Sequence, residues 1–141
     1  CDERVAKIYA ITLLTSLSDE EILLIYGRPR LVVVEILARM ALEAGVDGIV
    51  CSALELEHLR SLPEFRDVHL VVPGTRFAGA DLGQQKRSDT PENAVAKGAS
   101  ELVVGTQVTK ADDPKIAMIK YIDEVVRGET RCAAMQPNQS N

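Results

Sequence analysis

Apolar and amphipathic stretches alternate four times along the chain. Lys7–Leu14 (KIYAITLL), Val46–Ser52 (VDGIVCS), Val68–Val72 (VHLVV) and Glu101–Gly105 (ELVVG) are short, nearly continuous apolar runs rich in β-branched residues. Such runs predict strands buried on both faces. Helical signals lie between them. Ser18 before Asp19, Glu20 and Glu21 predicts a capped helix that stops at Gly27, with Glu21 closing a capping box. Pro29 opens a second helix to about Ala44, whose apolar face is Val33, Ile36, Leu37, Met40, Ala41 and Ala44, with Gly45 as its stop. Ala53–Leu62 reads as a third, with Pro63 just beyond it. Thr90-Pro91 starts a fourth, ended by Gly98. Asp113-Pro114 starts the last, with Ile116, Ile119, Ile122, Val125 and Val126 on one face. The chain after Gly128 shows no pattern, so residues 1–127 are expected to form the folded unit and 128–141 a flexible tail.

Strand then helix, four times over, predicts an α/β architecture with a parallel sheet and helical crossovers. Four βα units are half of an eight-stranded barrel, which usually needs roughly 250 residues. Each predicted strand runs into a small or polar group: Thr15-Ser16, Ser52, Gly74-Thr75-Arg76 and Gly105-Thr106. Ligands of α/β folds sit at the carboxyl ends of strands, so these groups are expected to share one rim.

The stretch Val68–Arg76 (VHLVVPGTR) states the chemistry most directly. Pro73-Gly74 ends the strand, and a hydroxyl and a guanidinium follow on that rigid stem. A guanidinium fork matches two phosphate oxygens, and glycine lets backbone N–H groups approach an anion. Phe77–Ser88 reads as a long loop of glycines and polar groups. Each feature also has a structural reading: Arg76 as an ion pair, Gln84 and Gln85 as solvated loop residues, Gly105-Thr106 as a turn. Their convergence on one rim favours an anion or phosphate site.

Composition narrows the classes. With 46% apolar and 26% charged residues, the chain of 141 residues can build one ordinary core. That core must be aliphatic, because aromatics make up 4% and there is no Trp. A net charge of −5 argues against a general nucleic-acid or anionic-membrane binder. No apolar run approaches the ~18 residues needed to span a bilayer, and CDERVAK is not a signal peptide. A cytoplasmic location is therefore expected. The opening Cys1, in place of Met, implies that the natural chain starts earlier. Cys1, Cys51 and Cys132 form no CxxC pair, so neither a disulfide framework nor a metal site is indicated. Cys51 reads as a small buried hydrophobe. His58 and His69, the two histidines, read as surface or packing residues.

The order of motifs resembles the C-terminal half of bacterial orotidine 5′-phosphate decarboxylase. The residues carrying the resemblance are ITLLTS (11–16), GVDGIVCSALE (45–55), LVVPGTR (70–76) and QQKRSDTPENAVAKGASELVVGTQVTKADDP (84–114). It spans about residues 5 to 127. It implies a TIM barrel, a homodimer, and cofactor-free conversion of orotidine monophosphate (OMP) to uridine monophosphate (UMP) and CO2. By position, Thr15 and Ser52 would contact the pyrimidine or ribose. Arg76, Gln85 and the amide of Gly105 would hold the phosphate. The chain departs from the family at Thr106, where an arginine usually follows VVG, and at Gln84, where an aspartate usually stands. A catalytic D-x-K-x-x-D motif, which the resemblance assigns to the N-terminal half, does not occur here. The chain is thus expected to carry the phosphate- and pyrimidine-binding half, to be inactive alone, and to need an N-terminal partner half. Two other readings remain: a non-catalytic phosphate-binding or structural half-barrel, and a sister phosphosugar enzyme such as a hexulose-phosphate synthase. The QQKR loop and the VVPGTR turn favour the decarboxylase.

Overall fold

The computed structural model describes residues 6–79 and 87–135. Four strands form one parallel sheet in the order β1-β2-β3-β4: β1 Tyr9–Ile11, β2 Gly48–Val50, β3 Leu70–Pro73 and β4 Glu101–Val103. All three strand pairs are parallel, with Ala10 beside Ile49, Val50 beside Val71 and Val72 beside Leu102. Sequential order without reversal is the arrangement of a barrel wall, whereas a doubly wound sheet reverses its order at a switch point. Every strand points the same way, so the segments after Ile11, Val50, Pro73 and Val103 leave from one edge.

The helices are α1 Asp19–Tyr26, α2 Arg30–Glu43, α3 Leu56–Ser61, α4 Pro91–Ala96, α5 Thr106–Thr109 and α6 Pro114–Met135. The Ser18–Glu21 capping box forms as the sequence predicts, and Gly27 closes α1 in the left-handed conformation. Thr90 caps α4 by accepting from the Asn93 N–H, with Pro91 at its first turn. Ile22, Val34, Ala38, Ile49, Leu56, Leu59, Leu70, Val72 and Ala94 pack with one aromatic residue, Phe65, into a mainly aliphatic core between sheet and helices.

Several expectations need correction. The strands are three or four residues long, shorter than the apolar runs that predict them. The buried stripe of α2 is Val33, Val34 and Ala38, while Ile36 and Met40 are exposed. The predicted apolar face of α6 is also largely exposed at Ile116, Ile119, Ile122 and Val126. α6 instead packs on α4, burying Tyr121, Glu124 and Gly128 at helical spacing. Gly128 does not end the helix, which continues to Met135. A Cβ there would lie 2.5 Å from the Glu92 carbonyl oxygen and 2.7 Å from Val95 Cβ, so its missing side chain admits α4. The short helix α5 directly after Gly105 has no counterpart in the sequence reading.

Candidate functional site

At the mouth of β3, Gly74 takes the positive φ of 74° that its sequence position calls for, and the chain turns sharply. Thr75 points inward, 2% exposed, and shares a 2.6 Å hydrogen bond with the Tyr121 hydroxyl of α6. Burial pushes the Tyr121 phenol above its usual range, and the nearby Glu124 adds to that shift. Arg76 turns the other way. Its guanidinium donates to the Thr75 carbonyl at 2.9 Å and reaches the Thr106 hydroxyl at 3.4 Å. Its backbone N–H donates to the Asp89 carbonyl at 3.0 Å, closing the turn. Among the described residues no carboxylate lies within ion-pair distance of Arg76, so the structural ion-pair reading finds no partner there.

Thr106 is the first residue of α5, and Gly105 is its N-cap. The ends of β3 and β4 thus bring Arg76 and Thr106 together, as the shared-rim argument expects. Gln107, next along, accepts from the Phe77 N–H at 2.9 Å and ties the two strand ends a second time. Gln84 and Gln85 lie outside the described residues.

Ser52 follows β2 and is fully buried, and its hydroxyl has no hydrogen-bond partner among the described residues. A buried hydroxyl without a partner is costly, and a ligand atom is one way to satisfy it. The Ser52 N–H donates to Glu55 Oε2 at 2.7 Å. Thr15 is half-buried in the turn after β1. Cys51, beside Ser52, is buried as expected, and its burial pushes the thiol up to about 12.

The sequence reading missed two groups. Arg87, 3% exposed, meets the fully buried Glu55 in an ion pair and donates to the Leu14 carbonyl at 2.6 Å and the Leu17 carbonyl at 3.1 Å. Arg30 also reaches Glu55, at 3.4 Å, and bonds Asp19 at 2.8 Å. No local pattern marks such a pair, because Glu55 and Arg87 are 32 positions apart. Arg60 is a second missed hub. It donates to the carbonyls of Phe65, Arg66, Val68 and Gly98 and to the Ser100 hydroxyl. These acceptors lie before β3 and β4, at the sheet edge opposite the rim.

The two histidines behave as packing and surface residues. His58 Nε2 lies 3.1 Å from Glu35, and the His69 ring stacks on Tyr9. Among the described residues no group of three or more His, Cys, Asp or Glu side chains is placed to hold a metal ion. Among them, too, no helix is long and apolar enough to cross a membrane.

The family model for "Orotidine 5'-phosphate decarboxylase / HUMPS family" matches residues 1–121. The chain belongs to this family. An orotidine 5′-phosphate decarboxylase of Ruegeria pomeroyi is 43% identical over 137 residues, covering 95% of this chain and 55% of the relative. One from Rhodopseudomonas palustris is 46% identical over 127 residues, covering 88% and 53%. The crystal structure of the Lactobacillus acidophilus orotidine 5′-phosphate decarboxylase matches with a TM-score of 0.66 at 36% identity, over 86% of this chain and 50% of that one. The Pyrococcus horikoshii enzyme matches in fold, with a TM-score of 0.58 at 18% identity. The four βα units are therefore a part of this family's barrel, and the chain spans about half the length of the relatives it matches.

Proposed function

We propose that this chain is the C-terminal half of an orotidine 5′-phosphate decarboxylase and binds the phosphate and pyrimidine of OMP and UMP. The observation that carries the reading is the pairing of Arg76 with Thr106 across the ends of β3 and β4, with no carboxylate partner for Arg76 among the described residues. A guanidinium beside a hydroxyl suits a dianionic phosphate. Thr15 and the buried Ser52 hydroxyl, which has no partner among the described residues, would face the sugar and base, with Gly105 supplying its amide and Gln85 a loop amide to the phosphate.

Decarboxylation breaks the bond between the ring carbon and its carboxylate. The electron pair left on that carbon must take a proton from a positioned ammonium, with carboxylates fixing that ammonium. No D-x-K-x-x-D motif is present here to supply them, so they would come from an N-terminal half. Two features favour such a partner. Ile11, 65% exposed, and Val103, 49% exposed, sit on the outermost strands β1 and β4, whose outer edges pair with no strand among the described residues. Beside β4 an apolar hollow of about 270 Å³, lined by Leu102, Val104, Met118, Ile122 and Val125, stands open. The completed protein would be a cytoplasmic homodimer that needs no cofactor.

UMP titration calorimetry tests the site. A charge-assisted guanidinium–phosphate bond contributes on the order of 1.5–3 kcal/mol, so Arg76→Ala should weaken binding by about one to two decades. Thr106→Arg should strengthen it by adding a second fork. Unchanged affinity in both variants would favour the second reading, a non-catalytic half-barrel, which the absence of an arginine at Thr106 supports. Turnover of OMP by the chain alone would overturn the assignment of the chemistry to another half.

A further inference from the structure

The buried pair Glu55–Arg87 joins segments that are distant in sequence. Arg87 spends its donors on three acceptors: the carbonyls of Leu14 and Leu17, which bracket Thr15, and the carboxylate of Glu55. Glu55 uses its other oxygen to hold the Ser52 N–H at 2.7 Å. The residue after Arg87 continues the pattern. The Ser88 hydroxyl donates to the Gly74 carbonyl at 2.7 Å, and the Asp89 carbonyl accepts from the Arg76 N–H at 3.0 Å. Three consecutive residues, 87–89, therefore bond the segments that follow β1, β2 and β3.

A buried ion pair is poor evidence of stabilisation, since desolvation offsets much of its attraction and apolar replacements are often tolerated. Its distinctive capacity is geometric: a guanidinium offers several donors in a fixed plane. Here that plane meets the backbone on both sides of Thr15 and, through Glu55, the backbone of Ser52. Charge is balanced locally, since Arg30 and Asp19 complete a group of two cations and two anions. None of the four needs a ligand to be satisfied.

We infer that Arg87 and Glu55 are positioning residues that hold Thr15 and Ser52 in register with Arg76 for nucleotide binding. The inference rests on the nucleotide-site reading for its ligand and on the hydrogen-bond geometry alone for its mechanical part. The two parts separate in one set of variants. The whole chain is compared with Glu55→Gln/Arg87→Met, which removes both charges at similar volume, and with Arg87→Lys, which keeps the charge but puts one nitrogen where the guanidinium places three in a fixed plane.

Backbone hydrogen exchange should rise by about tenfold or more around residues 12–18 and 51–54 in both variants, and stay unchanged around Gly98–Ser100, where Arg60 holds the chain. UMP affinity should fall about tenfold to a hundredfold even where Arg87→Lys unfolds at the parent's temperature. Exchange that rises uniformly, or not at all, overturns the positioning role. So does parent-like UMP affinity in a variant whose rim exchange has risen. A parent chain that binds no UMP removes the nucleotide-site reading, while rim-confined exchange still upholds the mechanical part. If the double variant does not fold, Arg87→Lys decides alone on the same two measurements.

Discussion

The Thr75 side-chain oxygen lies 2.6 Å from the Tyr121 hydroxyl, both residues being buried. This bond links the turn after β3 to the long helix α6. Removing one partner leaves a buried hydroxyl unsatisfied, which costs about 1–3 kcal/mol, whereas removing both costs much less. Tyr121→Phe should therefore destabilise the chain by that amount. Thr75→Val/Tyr121→Phe should recover part of the loss, so urea unfolding of the two variants should show a favourable coupling.

Gly128 sits where α6 touches α4, and a methyl group there would meet the Glu92 carbonyl at 2.5 Å. Because that neighbour is backbone, it gives way poorly. Gly128→Ala gains helix propensity yet should lose stability overall, by about 1–3 kcal/mol, as overpacked sites do. A melting temperature equal to or above the parent's would show that the two helices do not approach as described.

Asp89 feels opposing effects. Burial pushes its carboxyl up, but hydrogen bonds from Lys97 at 2.9 Å, Asn93 at 2.8 Å and the Thr90 N–H at 2.8 Å together hold it below the usual aspartate range. A carboxyl with a lowered folded pKa stabilises the fold above its unfolded pKa, and that stability is lost as pH falls through the folded value. The stability difference between parent and Asp89→Asn should thus be constant at neutral pH and shrink below about pH 4. Urea midpoints measured across that range check it. A difference that grows on acidification would reverse the sign.

Exposed apolar residues on the outer strands and on α6 predict association. Ile8, Ile11 and Leu14 on the β1 side, and Val103 with Ile116, Ile119 and Ile122 beyond β4, are all exposed. Unpaired strand edges with apolar neighbours recruit partners. Sedimentation at micromolar concentration should find the chain associated, and an added N-terminal half should compete with that association. A stable monomer with native-like packing would argue that these surfaces need no cover.

The same exposed residues show where the sequence could be read and where it could not. Periodicity, caps and turn residues act within one segment, so the order of four strands, the capping box at Ser18–Glu21, the Thr90-Pro91 start of α4 and the turn at Pro73-Gly74 were all legible. The apolar faces of α2 and α6 were legible as faces. Which part of each is covered depends on what packs there, and a different stripe is buried in both.

The candidate site divides along the same line. That Arg76 and Thr106 belong to one edge follows from parallel strands ending in polar groups, because strand direction places their ends together. That Arg76 reaches Thr106, and has no carboxylate partner among the described residues, is a matter of side-chain distance. Glu55 and Arg87 read as ordinary charged residues until folding removes both from water and leaves each as the other's main partner. Gly128 reads as the start of a patternless tail until α4 arrives against it. Local signals are set by bonded neighbours and survive in any context, while desolvation and close approach exist only between segments that the fold has brought together.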